Sequence, residues 1–91
     1  MGIKVRISGP LRRFCEGKAE IEVVADNVSD CLRGLEIRYP GLKEQLWNEQ
    51  SQLNRFINVY VNGQDVRLLQ ELATHLKVGD EVYVLPAMAG G

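Results

Sequence analysis

The spacing of apolar residues changes period along this chain, and that change is the tightest limit on its fold. Ile3, Val5 and Ile7 alternate with Lys4, Arg6 and Ser8, the period of two expected of a strand with one buried and one wet face. Gly9-Pro10 ends it. Glu16-Gly17-Lys18 reads as a turn, and Ala19 to Val24 as a second strand, with Ala19, Ile21 and Val23 on one side and Glu20 and Glu22 on the other. The short connection predicts an antiparallel hairpin. The period then lengthens: Val28, Cys31, Leu32, Leu35 and Tyr39 recur at helical spacing, with Ser29 as the expected N-cap and Asp30 suited to the positive end of the helix dipole. Tyr39-Pro40-Gly41 stops that helix, because the residue before a proline avoids the α region.

The remainder returns to short elements. Leu42 to Trp47 can form one or two further turns, and Asn48 to Asn54 is a polar loop. Ile57, Val59 and Val61 alternate with Phe56, Asn58 and Tyr60, a third strand. Asn62-Gly63 then predicts a type I′ hairpin turn, which needs positive φ at both central residues. Gln64 to Val66 is a short returning strand. Leu68, Leu69, Leu72 and Leu76 suggest a short helical turn, Val78-Gly79-Asp80 turns the chain, and Val82 to Leu85 is the last strand. The order is β-β-α-β-β-(short helix)-β. One main helix must bury its apolar stripe on one face of a mixed four- to five-stranded sheet, and the last strand lies beside the first. This α+β pattern is the β-grasp arrangement.

Ninety-one residues leave no room for a second domain, given a usual size of about 100–150. We read 1–86 as the domain and 87–91 as a flexible tail. Eleven Lys and Arg against twelve Asp and Glu give a net charge of −1, which speaks against nucleic acid, since that partner demands a basic excess. No run approaches the roughly 20 apolar residues that span a bilayer, and no secretory h-region opens the chain; a cytoplasmic location, with no membrane partner, is expected. Cys15 and Cys31 are then free thiols. Catalytic chemistry finds little material. His75 is the single histidine, so no multi-histidine metal site can form and no metal is expected. Gly9 to Lys18 fails as a phosphate loop: seven residues separate Gly9 from Gly17, with Ala19 where Ser or Thr belongs. The carboxylates are scattered singly. Arg12-Arg13, the adjacent basic pair, suits either solvent or an acidic partner.

Two features point outward from the domain. If Ile57, Val59 and Val61 face the helix, strand parity turns Phe56 and Tyr60 to the open face, and turns Tyr83 and Leu85 there too. Two tyrosines, a phenylalanine and a leucine exposed together suggest a partner surface. The second feature is the ending Ala87-Met88-Ala89-Gly90-Gly91. A terminal diglycine is also what a frayed tail carries. Without Cβ atoms, however, two glycines can thread a narrow channel. Five extended residues reach roughly 17 Å, so the carboxylate of Gly91 can be delivered into another enzyme's active site, with Ala87, Met88, Ala89 and Gly90 threaded behind it. A carboxylate is inert until activated, which makes the tail a substrate rather than a catalyst.

Three stretches together resemble the MoaD/ThiS family of ubiquitin-like sulfur carriers: Ile3-Lys4-Val5-Arg6-Ile7; Arg55 to Gly63; and Val78-Gly79-Asp80-Glu81-Val82-Tyr83-Val84-Leu85-Pro86 running into the terminal diglycine. The resemblance covers nearly the whole chain and is nearest to carriers that feed cysteine or a related sulfur amino acid. It implies that no cofactor is bound, and that an E1-like adenylyltransferase/sulfurtransferase uses ATP to adenylate Gly91. Sulfur then replaces the adenylate, and the resulting thiocarboxylate donates it to an acceptor enzyme. That acceptor is cysteine-synthase-like or, on the second reading, the large subunit of molybdopterin synthase, this chain being the small subunit. Thiamin carriers, usually shorter, rank third. A ubiquitin-like modifier forming isopeptide bonds would use the same tail differently.

Overall fold

The computed structural model describes residues 2–87. Strands β1 (Ile3–Ile7), β2 (Glu20–Val23), β3 (Ile57–Val61), β4 (Gln64–Asp65) and β5 (Glu81–Pro86) form one sheet in the order β2-β1-β5-β3-β4. β1 and β2 are antiparallel, as the short connection predicts, and so are β3 with β4 and β3 with β5. β1 and β5 are parallel. The strand formed last therefore occupies the middle of the sheet and joins two hairpins.

The helix α1 (Val28–Arg38) packs on one face of this sheet. Its Val28, Cys31, Leu32 and Leu35 meet Ile3, Val5, Ile7, Val59, Val82 and Val84 in a single core of buried residues. Each aliphatic side chain so removed from water contributes about 1.5–3 kcal/mol before entropy is charged against it. Leu42 and Leu46, the latter at the end of the short helix α2 (Lys43–Leu46), close the same core and are fully buried. The β-grasp reading and the five-stranded mixed sheet are thus what the chain forms.

Several local expectations need correction. The N-cap of α1 is Asn27, not Ser29: Asn27 has extended backbone, and its Oδ1 accepts from the Asp30 N–H at 2.8 Å. Val28, fully buried, is already inside the helix. β2 spans Glu20–Val23, with Ala19 and Val24 outside it and exposed. The connection between β1 and β2 is a seven-residue 3₁₀ segment, Gly9–Cys15, which buries Leu11 and Cys15. β4 stops at Asp65 because Val66–Leu68 winds into a 3₁₀ turn, where the Asp65 carboxylate accepts from the Arg67 N–H at 2.9 Å. A second 3₁₀ turn, Glu71–Ala73, follows. The single helical turn expected over the leucines is thus two turns, and Leu68 lies open to solvent.

Candidate functional site

Strand pairing builds the site. In β1, β3 and β5 the odd-even alternation sends Ile3, Val5, Ile7, Ile57, Val59, Val61, Val82 and Val84 into the core, so the intervening residues lie on the face away from α1. Register then aligns a row across all five strands: Glu20 opposite Arg6, Arg6 opposite Tyr83, Tyr83 opposite Tyr60, and Tyr60 opposite Asp65. One step toward the chain end, Leu85 stands opposite Asn58. One step further, the Ala87 N–H donates to the Phe56 carbonyl at 2.6 Å. Phe56 sits in the turn just before β3 rather than in the strand.

Phe56 is 57% exposed and Tyr83 39% exposed, while Tyr60 and Leu85 are half-buried. All four sequence-predicted surface residues therefore lie along β3 and β5 beside the root of the tail. Trp47, which opens the segment after α2, lies with its ring under the Arg33 guanidinium of α1, 5.1 Å from ring centroid to Cζ, so that residue packs on the helix side. Met88, Ala89, Gly90 and Gly91 lie outside the described residues. Ala87 is half-buried and tied to Phe56, so the body holds the chain through that residue.

Charged groups frame the aromatic pair. Arg6 reaches Glu81 at 3.6 Å and lies over the Tyr83 ring at 5.9 Å. On the far side Arg67 donates to the Asp65 carboxylate at 2.7 Å and to Asn58 Oδ1 at 2.9 Å. Those hydrogen bonds hold the Asp65 carboxyl below its ordinary range and raise Arg67. The sequence reading passed over Arg6, Asp65 and Arg67. The row was recoverable, because Arg6 lies on the polar face of β1, but only once the register between strands is fixed.

Among the described residues, the remaining reactive side chains stand apart from one another. Cys15 and Cys31 are fully buried; burial raises the Cys15 thiol and pushes the Cys31 thiol up to about 12, which disfavours the thiolate that would be the nucleophile. No cluster of three His, Cys, Asp or Glu suited to a metal ion occurs among the described residues. His75 is exposed and bridges to Asn27 through the backbone. No helix among the described residues is long and apolar enough to cross a membrane.

A five-stranded mixed sheet, one main helix, and a central last strand that ends at Pro86 and lies beside both hairpins define a ubiquitin-like β-grasp protein. Residues 5–91 match the ThiS family, and the chain belongs to the ThiS/MoaD family of ubiquitin-like sulfur carriers. It is 39% identical over 93 aligned residues to the Mycobacterium tuberculosis (strain H37Rv) sulfur carrier protein CysO, with all of both chains covered. It is 44% identical over 93 aligned residues to small archaeal modifier protein 3 of Haloferax volcanii, again with full coverage of both. Among solved structures, a chain of the Amycolatopsis orientalis BexX/CysO complex superposes with a TM-score of 0.89 at 39% identity, covering 99% of this chain and 100% of that one.

Proposed function

We propose that this chain delivers sulfur as a thiocarboxylate on Gly91 and is a co-substrate of its partner enzymes rather than a catalyst. The observation that carries the reading is the position of the tail root. Ala87 leaves the central strand beside Phe56, Tyr60, Tyr83 and Leu85, so a partner seated on those side chains has the chain end within reach. Four residues beyond Ala87 extend roughly 13–14 Å.

An E1-like enzyme docks there and directs the Gly91 carboxylate at the α-phosphate of ATP. A C–O–P bond forms and pyrophosphate leaves. A sulfur nucleophile then adds to the acyl carbon and AMP leaves, which yields the thiocarboxylate. Ionised near neutral pH, that group displaces a leaving group from an electrophile held by an acceptor enzyme, and hydrolysis of the Gly91 acyl–sulfur bond then leaves the sulfur on the acceptor and returns the Gly91 carboxylate. Full-length similarity to CysO proteins favours a cysteine-synthase-like acceptor over a molybdopterin-synthase large subunit, and the solved complex of a CysO with BexX supports partner-enzyme docking of this kind. Such an exchange belongs in the reducing cytoplasm.

The test combines the protein, its activating enzyme, ATP and a sulfide source. Intact mass should rise by the exchange of one oxygen for one sulfur, and fragmentation should place the gain on Gly91. Deleting Gly91 should abolish charging and leave the thermal midpoint unchanged. Sulfur found as a persulfide on Cys15 or Cys31 would overturn the proposal.

The 44% identity to a small archaeal modifier protein favours one second reading, in which activated Gly91 is joined to lysines by isopeptide bonds. Cell extracts decide between them: conjugates that carry Gly91 on lysine support the modifier, and free thiocarboxylate supports the carrier.

A further inference from the structure

Cations flank the end of the sheet at which β5 finishes. On the β1 side, Ile7 stands opposite Val84, the Ser8 N–H donates to the Val84 carbonyl at 3.1 Å, and the 3₁₀ segment Gly9–Cys15 lies alongside β5. That segment carries Arg12 and Arg13, both exposed. On the β3 side, Arg55 is exposed and directly precedes Phe56, whose carbonyl accepts from the Ala87 N–H. β5 lies between β1 and β3, so Ala87 follows the central strand with arginines on both flanks.

These charges are not neutralised among the described residues. Arg6 pairs with Glu81 and Arg67 with Asp65, whereas Arg12, Arg13 and Arg55 form no ion pair there. Residues 9–18 hold Arg12, Arg13 and Lys18 against Glu16 alone, in a chain of net charge −1. Arg12 is also anchored: its Nε donates to the Ile7 carbonyl at 3.0 Å. The two Nη groups have no hydrogen bond among the described residues, and their planar fork matches a carboxylate. An arginine already fixed by its Nε loses less side-chain freedom when it binds. Arg13 is steadied too, with its Cζ 5.3 Å from the Phe14 ring centroid.

The anion that fits is a protein carboxylate. A nucleotide reacting with Gly91 lies four residues beyond Ala87, roughly 13–14 Å along an extended tail, outside the reach of an arginine side chain at the root. Nucleic acid is disfavoured by the net charge of −1. We propose that Arg12, Arg13 and Arg55 form a basic collar that recognises an acidic rim on the activating enzyme, around the entrance that takes the tail. The collar depends on the tail being taken up as proposed above. Its arginines are positioning residues: they steer the two proteins together and set Ala87 at the entrance.

The test follows association of the full chain with its activating enzyme in real time over a range of salt, with adenylation measured alongside. Arg12→Glu combined with Arg55→Glu should slow association about tenfold or more at low ionic strength, and the gap should close as salt rises. Lys77→Glu makes the same charge change at an exposed position ahead of β5, at the opposite end of the sheet, and should slow association far less. Equal rates for the double variant and Lys77→Glu, or a loss that salt does not relieve, overturns the collar, while adenylation of the unaltered chain leaves the sulfur-carrier reading standing. An unaltered chain that is not adenylated sinks that reading and the collar with it. If the double variant fails to fold, Arg12→Gln with Arg55→Gln, which removes the charges and keeps polar side chains, is judged by the same criteria.

Discussion

The Asn62 amide donates to the Asp80 carboxylate at 3.1 Å, tying the β3–β4 turn to the turn that launches β5. Asp80 also accepts from the Lys77 N–H at 2.9 Å, its own carbonyl accepts from the Lys4 N–H, and Asn62 Oδ1 accepts from the Glu81 N–H. One nearly buried carboxylate therefore sets where the central strand begins. These bonds hold its carboxyl below the ordinary value of 3.8.

Asp80→Ala should destabilise the fold by about 1 kcal/mol, the scale of lost hydrogen bonds at part-buried donors, read as a lower urea midpoint. The sign with pH follows from the lowered folded value. Asp80 binds its proton less readily folded than unfolded, so its contribution is complete above the unfolded value and is lost as pH falls through the folded one. The gap in stability between the unaltered protein and Asp80→Ala should be constant near neutrality and close below about pH 4.

Gly34 reverses a general rule. Replacing a helical glycine with alanine usually gains up to about 1 kcal/mol. Here the added Cβ would lie 2.8 Å from Val23 Cγ1, a stiff β-branched side chain on the neighbouring strand. Overpacking of this kind costs about 1–3 kcal/mol. Gly34→Ala should therefore lower the thermal midpoint rather than raise it.

The open face separates binding from folding. Phe56→Ala removes a ring that is 57% exposed and should change stability by no more than about 0.5 kcal/mol. Leu85→Asp, at a half-buried position, should also leave the chain folded. Both should weaken association with the activating enzyme at least tenfold, measured by calorimetry. Unfolding of Leu85→Asp would show that the leucine serves the core.

The two cysteines should resist alkylation in the native protein at pH 8 and react promptly in denaturant, since both are fully buried. To locate transferred sulfur, Cys15→Ala with Cys31→Ala is a better background than paired serines, whose hydroxyls would be buried beside apolar neighbours. That variant should charge as fully as the unaltered chain.

Much of this fold was legible in the sequence because alternation is a strong signal where one face is buried. Ile3 to Ile7, Ile57 to Val61 and Val82 to Leu85 fall within β1, β3 and β5, and Asn62-Gly63 turns with positive φ at both residues, +50° and +86°. Parity alone turned Phe56, Tyr60, Tyr83 and Leu85 to one face, and the β3–β5 register is what brings them beside one another. What escaped depends on contacts distant in sequence or on choices between near-equal residues. Asn27 and Ser29 are both good caps, and only the depth to which Val28 is buried decides between them. Leu11 and Cys15 are spaced for one helical turn, but Pro10 and the Arg12-Arg13 pair mask it. The Asn62–Asp80 bond spans two turns, and neither residue alone announces it.

The central position of β5 also bears on biosynthesis. Chains emerge N-terminus first at about 5–20 residues per second, so the residues of the β1–β2 and β3–β4 hairpins are made before the strand that joins them. Until Glu81–Pro86 is made, the sheet has a gap at its middle, between β1 and β3. Synthesis interrupted ahead of that point leaves two halves and no assembled surface beside the chain end. A polypeptide therefore completes its sheet only once it has been translated through its last strand.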